Sequence, residues 1–144
     1  MTKPSAAALD TAALRGPVAC IDLETTGGTS AHHRIIEVGI VLLEGGQVVE
    51  AWSSLVNPGI RIPPTIVDFT GISNDMVDDA PTFHDLRAEV RRRLDGRLFV
   101  AHNARFDYGF VRNELRRAGE KFSAPVLCTT VTSPHEIHTE SVRA

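Results

Sequence analysis

Asp22 and Glu24 stand two residues apart at the end of a short apolar run, Val18-Ala19-Cys20-Ile21. Strand side chains alternate between faces, so a strand here sends both carboxylates to one side of its sheet. Two carboxylates held that close repel each other unless a cation lies between them, which makes the pair a candidate metal seat. Thr25, Thr26 and Gly27 follow directly, with hydroxyls, backbone N–H groups and a flexible turn. The plainer reading, an acidic turn at a strand end, stays open at this point. A second group, His102-Asn103-Ala104-Arg105-Phe106-Asp107, joins an apolar segment to a helical pattern, which puts Asp107 on a first helical turn. If the two apolar segments are neighbouring strands, Asp107 stands beside Asp22 and Glu24. Three such carboxylates suit Mg²⁺ or Mn²⁺, which prefer oxygen ligands. Two of these cations about 4 Å apart clamp the attacking water and the leaving oxygen in phosphodiester cleavage. Asp107 alone is explained as well by complementing the helix dipole, worth under about 1 kcal/mol.

The elements that must hold these residues follow from patterning. Residues 18–23 read as a first strand, 25–34 as a Gly/Ser/His loop and 35–43 as a second strand. Glu44-Gly45-Gly46 marks a hairpin turn into a third strand over 47–56, completing an antiparallel meander. A Pro/Gly connection over 57–64 leads to a short helical turn stopped by Gly71, then another capped by Ser73. Thr82 and Asp85 form a capping-box pattern. Phe83, Leu86, Val90 and Leu94 repeat at helical spacing after it, and Gly96 ends the helix. A fourth strand covers 97–101, and Asn103 is positioned to cap a helix over 105–118 that Gly119 stops. A fifth strand begins at Val126. These elements give an α/β or α+β fold, a sheet with helices packed on it. The domain reading is a loose leader over 1–16, a domain over 17–130 and an irregular tail over 131–144, where no period is visible.

With 144 residues the chain fits one domain with a real core. Hydrophobic residues at 42% and charged residues at 23% are ordinary for a soluble protein. No apolar run approaches membrane-spanning length, so no membrane partner is expected. Cys20 and Cys128 form no CxxC pair, which fits a cytoplasmic, reduced-thiol protein. A net charge of −3 argues against coating nucleic acid by bulk electrostatics, while leaving room for an enzyme that grips a few phosphates around bound cations. Arg87, Arg91, Arg92, Arg93 and Arg97, and likewise Arg105, Arg112, Arg116 and Arg117, read as solvated helix faces rather than phosphate contacts. His32 and His33 lie in the loop near the proposed site.

Asp22-Leu23-Glu24-Thr25-Thr26-Gly27 resembles the first motif of the DEDD-type 3′→5′ exonucleases, whose members include the proofreading epsilon subunit of bacterial DNA polymerase III, RNase T and oligoribonuclease. His102-Asn103-Ala104-Arg105-Phe106-Asp107 resembles the second motif. Arg34-Ile35-Ile36-Glu37-Val38-Gly39 and Phe69-Thr70-Gly71-Ile72 are similar to the strand and helical linker between them. The resemblance implies a ribonuclease H-like fold, two-metal hydrolysis and Asp22, Glu24 and Asp107 as ligands of Mg²⁺ or Mn²⁺, with Asp22 bridging both ions. It also implies that Thr25, Thr26 and Gly27 hold the 3′-terminal nucleotide, with His102, Asn103 and Phe106 lining the same pocket. Phe106 is explained equally by an ordinary core position. Glu37 is either a support to the ligands or a salt-bridge residue.

The family's third motif, His-x4-Asp on a later helix, brings the general base and a fourth carboxylate. No Asp follows Asp107 here, and His135 with Glu140 has the spacing but no helical pattern. The expectation is therefore an exonuclease domain incomplete beyond about Thr130, impaired in activity and with its C-terminal part missing. Its substrates would be single-stranded or frayed 3′ ends, DNA favoured over RNA, in association with a DNA polymerase subunit. The other readings are a non-catalytic remnant that binds nucleic acid or a polymerase, and an RNA-trimming exoribonuclease.

Overall fold

In the computed structural model, residues 15–129 and 139–140 are described. Strands β1 (Val18–Thr25), β2 (Ile35–Glu44) and β3 (Gln47–Leu55) form the antiparallel meander. β4 (Leu98–Ala101) then pairs parallel with β1, and β5 (Val126–Cys128) pairs parallel with β4. β6 (Thr139–Glu140) runs antiparallel to β5 and completes a six-stranded sheet of order β3-β2-β1-β4-β5-β6. β6 lies where the sequence showed no period; two backbone residues paired to an existing edge need no side-chain pattern of their own. Most of the expected leader, residues 1–14, and most of the tail, His135 included, lie outside the described residues.

Gly45 and Gly46 explain the β2–β3 turn. Both have positive φ, 60° and 78°, between paired Glu44 and Gln47, the twist that two-residue hairpins require. Among the described residues, four helices follow the meander or alternate with the later strands. They are α1 (Pro64–Thr70), α2 (Asn74–Asp78), α3 (Phe83–Leu94) and α4 (Ala104–Arg117). α3 begins on the expected capping box: the Asp85 N–H donates to Thr82 Oγ1 at 3.2 Å, and the Thr82 N–H donates to Asp85 Oδ2 at 3.0 Å.

The strict alternation of β1 divides the molecule. Ala19, Ile21 and Leu23 are buried with Val38, Ile40 and Leu42 of β2, against Phe83, Val90 and Leu94 of α3 and Phe110, Val111 and Leu115 of α4. Each large apolar side chain buried there contributes roughly 1.5–3 kcal/mol. Val18, Cys20, Asp22 and Glu24 take the opposite face. There Val18 joins Val100 and Leu127 in a small second cluster, and the carboxylates come at its far end.

Two local expectations are corrected. Asn103 occupies the N-cap position of α4 but makes no capping hydrogen bond through its side chain. Its φ of −124° and ψ of 74° depart from the extended cap conformation. The Asp107 carboxyl takes hydrogen bonds from backbone groups at Asp107 and Asn103. Arg93, expected on a solvated face, is buried. Its guanidinium lies 4.4 Å over the Trp52 ring and donates to Glu50 at 2.9 Å and Glu89 at 2.6 Å, joining α3 to edge strand β3. Arg91, Arg92, Arg97 and Arg117 are likewise engaged in ion pairs.

Candidate active site

β1 delivers Asp22 and Glu24, and the start of α4 delivers Asp107. Because β4 lies parallel beside β1 and α4 leaves the end of β4, the second motif arrives at the same end of the sheet as the first. Asp22 is exposed opposite Gly39, Glu24 is half-buried opposite Glu37, and Asp107 is buried. A groove of about 410 Å³ runs along the open face from Trp52 and Ser53 across Gly39 to Asp22.

The three carboxylates are close enough to repel. Burial, followed by the charge of Asp22, pushes the Asp107 carboxyl up to about 7, and Glu24 adds to the shift. Glu24 is raised by burial first, then by Asp22 and Glu37. Among the described residues, no three Asp, Glu, His or Cys side chains are grouped so as to hold a metal ion as they stand. The donor set nevertheless suits a hard divalent cation: it is all oxygen, and its groups pay for their proximity in ionisation energy that a cation would relieve.

Thr25, Thr26 and Gly27 continue from Glu24 into a tightly bonded turn. Thr25 Oγ1 donates to the Gly27 carbonyl at 2.7 Å, and both Thr side chains are buried. A Cβ on Gly27 would fall 2.4 Å from the His33 ring, so the absence of a side chain is what lets the loop fold back. His33 Nδ1 in turn lies 3.1 Å from the Thr29 nitrogen, which makes His33 a loop-structuring residue; His32 is exposed. His102 and Asn103 are exposed between β4 and α4, and half-buried Phe106 packs on the main core with its ring 4.7 Å from that of Phe110.

Two features escaped the sequence. Phe69 on α1 is 86% exposed, although its neighbours Ile66 and Val67 pack with Ile36, Ile62 and Ile72. That cluster includes Leu55, the cross-strand partner of Glu37, so α1 lies at the carboxylate end of the sheet. No spacing signal marks Phe69; only its exposure does. The second is Glu114, buried on α4 and held by Arg34 and Arg117. A Glu flanked by Phe110, Val111 and Leu115 on a helix's apolar stripe was the available signal.

A sheet of this order, carrying paired carboxylates at the end of β1 and another at the opening of α4, defines a ribonuclease H-like nuclease domain. Residues 19–136 match the RNase T exonuclease family model, and the chain belongs to that family of DEDD 3′→5′ exonucleases, whose members use divalent metal ions. Among curated proteins, it is 46% identical over 100 residues to the 3′-5′ exonuclease DinG of Bacillus subtilis, covering 69% of this chain and 11% of that protein. It is 37% identical over 108 residues to the PolC-type DNA polymerase III of Clostridium perfringens, covering 75% of this chain and 8% of that protein. The chain thus spans about a tenth of the length of these relatives. Exonuclease X in complex with 5′ overhanging duplex DNA is similar at 29% identity and a TM-score of 0.60, over 78% of this chain and 59% of that one. The product-bound structure of exonuclease I shares the fold at a TM-score of 0.68 and 19% identity, over 74% of this chain and 27% of that one.

Proposed function

We propose that the chain is a metal-dependent 3′→5′ exonuclease domain that removes nucleotides from single-stranded or frayed DNA 3′ ends in the service of a DNA polymerase. The observation that carries this reading is Asp107: a buried carboxyl pushed up to about 7 by burial and the charges of Asp22 and Glu24. A fold that holds three carboxylates in mutual repulsion retains them for a cation. Asp22, Glu24 and Asp107 would hold Mg²⁺ or Mn²⁺. When bound, the ions supply an activated water and charge stabilisation at the leaving 3′-oxygen. Thr25, Thr26 and Gly27 would seat the terminal nucleotide, and His102, Asn103 and Phe106 would line its pocket. Phe69, exposed at the same end of the sheet, offers an apolar face for base stacking. DNA is favoured over RNA because the relatives include polymerases and a nuclease in complex with DNA.

The test is Mn²⁺-dependent release of mononucleotides from a 3′-labelled oligodeoxynucleotide, with Asp22→Ala as the control. Release that persists undiminished in Asp22→Ala refutes the site. A second reading is a domain that binds nucleic acid or a polymerase without cleaving. Metal-coupled oligonucleotide binding without turnover selects it. Turnover of RNA but not DNA selects an exoribonuclease.

A further inference from the structure

Helix α4 carries two buried carboxylates, Asp107 and Glu114, seven residues apart. That separation returns nearly to the same side of a helix, about 10 Å further along. Asp107 belongs to the carboxylate site. Glu114 lies only 2% exposed and accepts a fork from Arg34, Nε at 2.5 Å and Nη2 at 2.9 Å. Arg117 Nη1 adds a third bond at 2.8 Å.

Arg34 is the far end of the loop that begins at the proposed nucleotide seat. Its N–H donates to Thr26 Oγ1 at 3.0 Å, and its carbonyl accepts from the Thr26 N–H at 2.9 Å. Thr26 and Arg34 thereby close the intervening loop into a ring. The same helix grips that ring again: Arg117 Nη2 donates to the Ser30 carbonyl at 2.9 Å, and Asn113 Nδ2 donates to Ser30 Oγ at 2.7 Å.

A structural staple is the plainer account. Burying a carboxylate between guanidinium groups is a poor way to gain stability, because desolvation cancels much of the attraction and an apolar side chain at the same place often serves better. A forked ion pair does supply orientation, since it fixes both the distance and the plane of its partners.

We propose that Glu114 is a positioning residue for substrate binding. Through Arg34 it holds Thr26, and so the Thr25-Thr26-Gly27 turn, at a set height relative to Asp107 on the same helix. The inference rests on the reading of that turn as the nucleotide seat. Asp22 and Glu24 are held by the β1 ladder, and Asp107 by its place on the first turn of α4, beside core residues Ala104 and Tyr108. Loss of the fork therefore loosens the nucleotide seat more than the metal seat.

Glu114→Gln separates the two in the full chain. Calorimetric titration with Mn²⁺ alone, then with dTMP in saturating Mn²⁺, is the measurement, with near-ultraviolet circular dichroism to verify the fold. The expected result is Mn²⁺ affinity within threefold of the unmodified chain, dTMP affinity at least tenfold weaker, and at least tenfold faster amide exchange at Thr26 and Arg34. Folded Glu114→Gln that binds dTMP within twofold of normal overturns the inference, as does an equal loss of Mn²⁺ and dTMP affinity. If Glu114→Gln does not fold, Arg34→Lys, which keeps the charge and cannot form the fork, is judged by the same criteria. Absence of Mn²⁺-dependent dTMP binding in the unmodified chain overturns the nuclease reading, and this inference with it; normal binding by the variant overturns the inference alone.

Discussion

Replacing Asp107 by Asn should stabilise the metal-free protein at alkaline pH while destroying its response to metal. The carboxyl rises from an ordinary 3.8 to about 7, because burial and the neighbouring charges of Asp22 and Glu24 oppose its ionisation. That difference corresponds to about 4 kcal/mol of preference for the protonated form. Between these two values the folded chain holds a proton that the unfolded chain has lost, so stability falls as pH rises through the window and is lowest above it. Asn has the shape of the protonated acid and never ionises. Its amide N–H₂ cannot accept the backbone hydrogen bonds made at Asp107 and Asn103, a loss of about 1–3 kcal/mol. The net expectation at pH 8 is a gain of about 1–3 kcal/mol, near 4 °C in Tm per kcal/mol for a chain of this size. At pH 5 the gain shrinks by about 2–3 kcal/mol, because there the folded Asp107 already carries its proton. Thermal melts of both proteins at pH 5 and pH 8, in EDTA and in Mn²⁺, read all of this. Mn²⁺ at a hundred times its dissociation constant adds about 2.7 kcal/mol to the unmodified protein and little to the variant. A variant that is less stable by the same amount at both pH values refutes the claim that burial and like charges hold the proton on Asp107. A variant that keeps its full Mn²⁺ response refutes Asp107 as a ligand.

Phe69→Ala should leave urea stability within about 0.5 kcal/mol, because the ring is already in solvent. It should weaken single-stranded DNA binding in Ca²⁺ by about 1–3 kcal/mol, and an unchanged Kd removes Phe69 from the interface. Gly27→Ala should force the His33 ring aside and destabilise by about 1–3 kcal/mol, measured by urea unfolding. Release by Gly27→Ala should fall with it, unless Ala is introduced together with His33→Ala, which clears the space. Arg93→Ala should destabilise by roughly 2–3 kcal/mol through lost packing over Trp52, whereas Arg92→Ala, exposed beside it, should change stability little. Equal effects of the two would show that burial does not distinguish them.

The elements around the site were legible because local patterns specify them. The alternation of β1, the Gly45–Gly46 turn and the Thr82–Asp85 box each encode their geometry within a few residues, and the two carboxylate motifs lie at their ends. What escaped depends on partners distant in the chain. Arg93 looks like any arginine in a basic run until Trp52 and Glu50 of β3 arrive beside it. Glu114 stands on the apolar stripe of its helix, but its partner is invisible locally, because Arg34 lies eighty positions away. Asn103 failed as a cap for a more local reason: its φ of −124° and ψ of 74° lie away from the extended conformation that turns a cap side chain onto the first helical N–H groups. Phe69 was illegible because exposure of a large apolar residue is a statement about what does not pack on it.

The alternation of β1 has a consequence for insertions and deletions. Odd positions from Ala19 to Leu23 line the main core, and even positions end in Asp22 and Glu24. One residue gained or lost before Asp22 exchanges the two sets, sending both acids in among Phe99 and Phe110 and the aliphatic residues out to water. Such a protein cannot persist as a folded but inactive copy, since the error that removes the carboxylates from the open face also dissolves the core. A frame slip in this strand is therefore cleared by the cell's quality control along with the unfolded chain. Substitution of Asp22 or Glu24, by contrast, leaves the Ala19, Ile21 and Leu23 face and the core behind it in place.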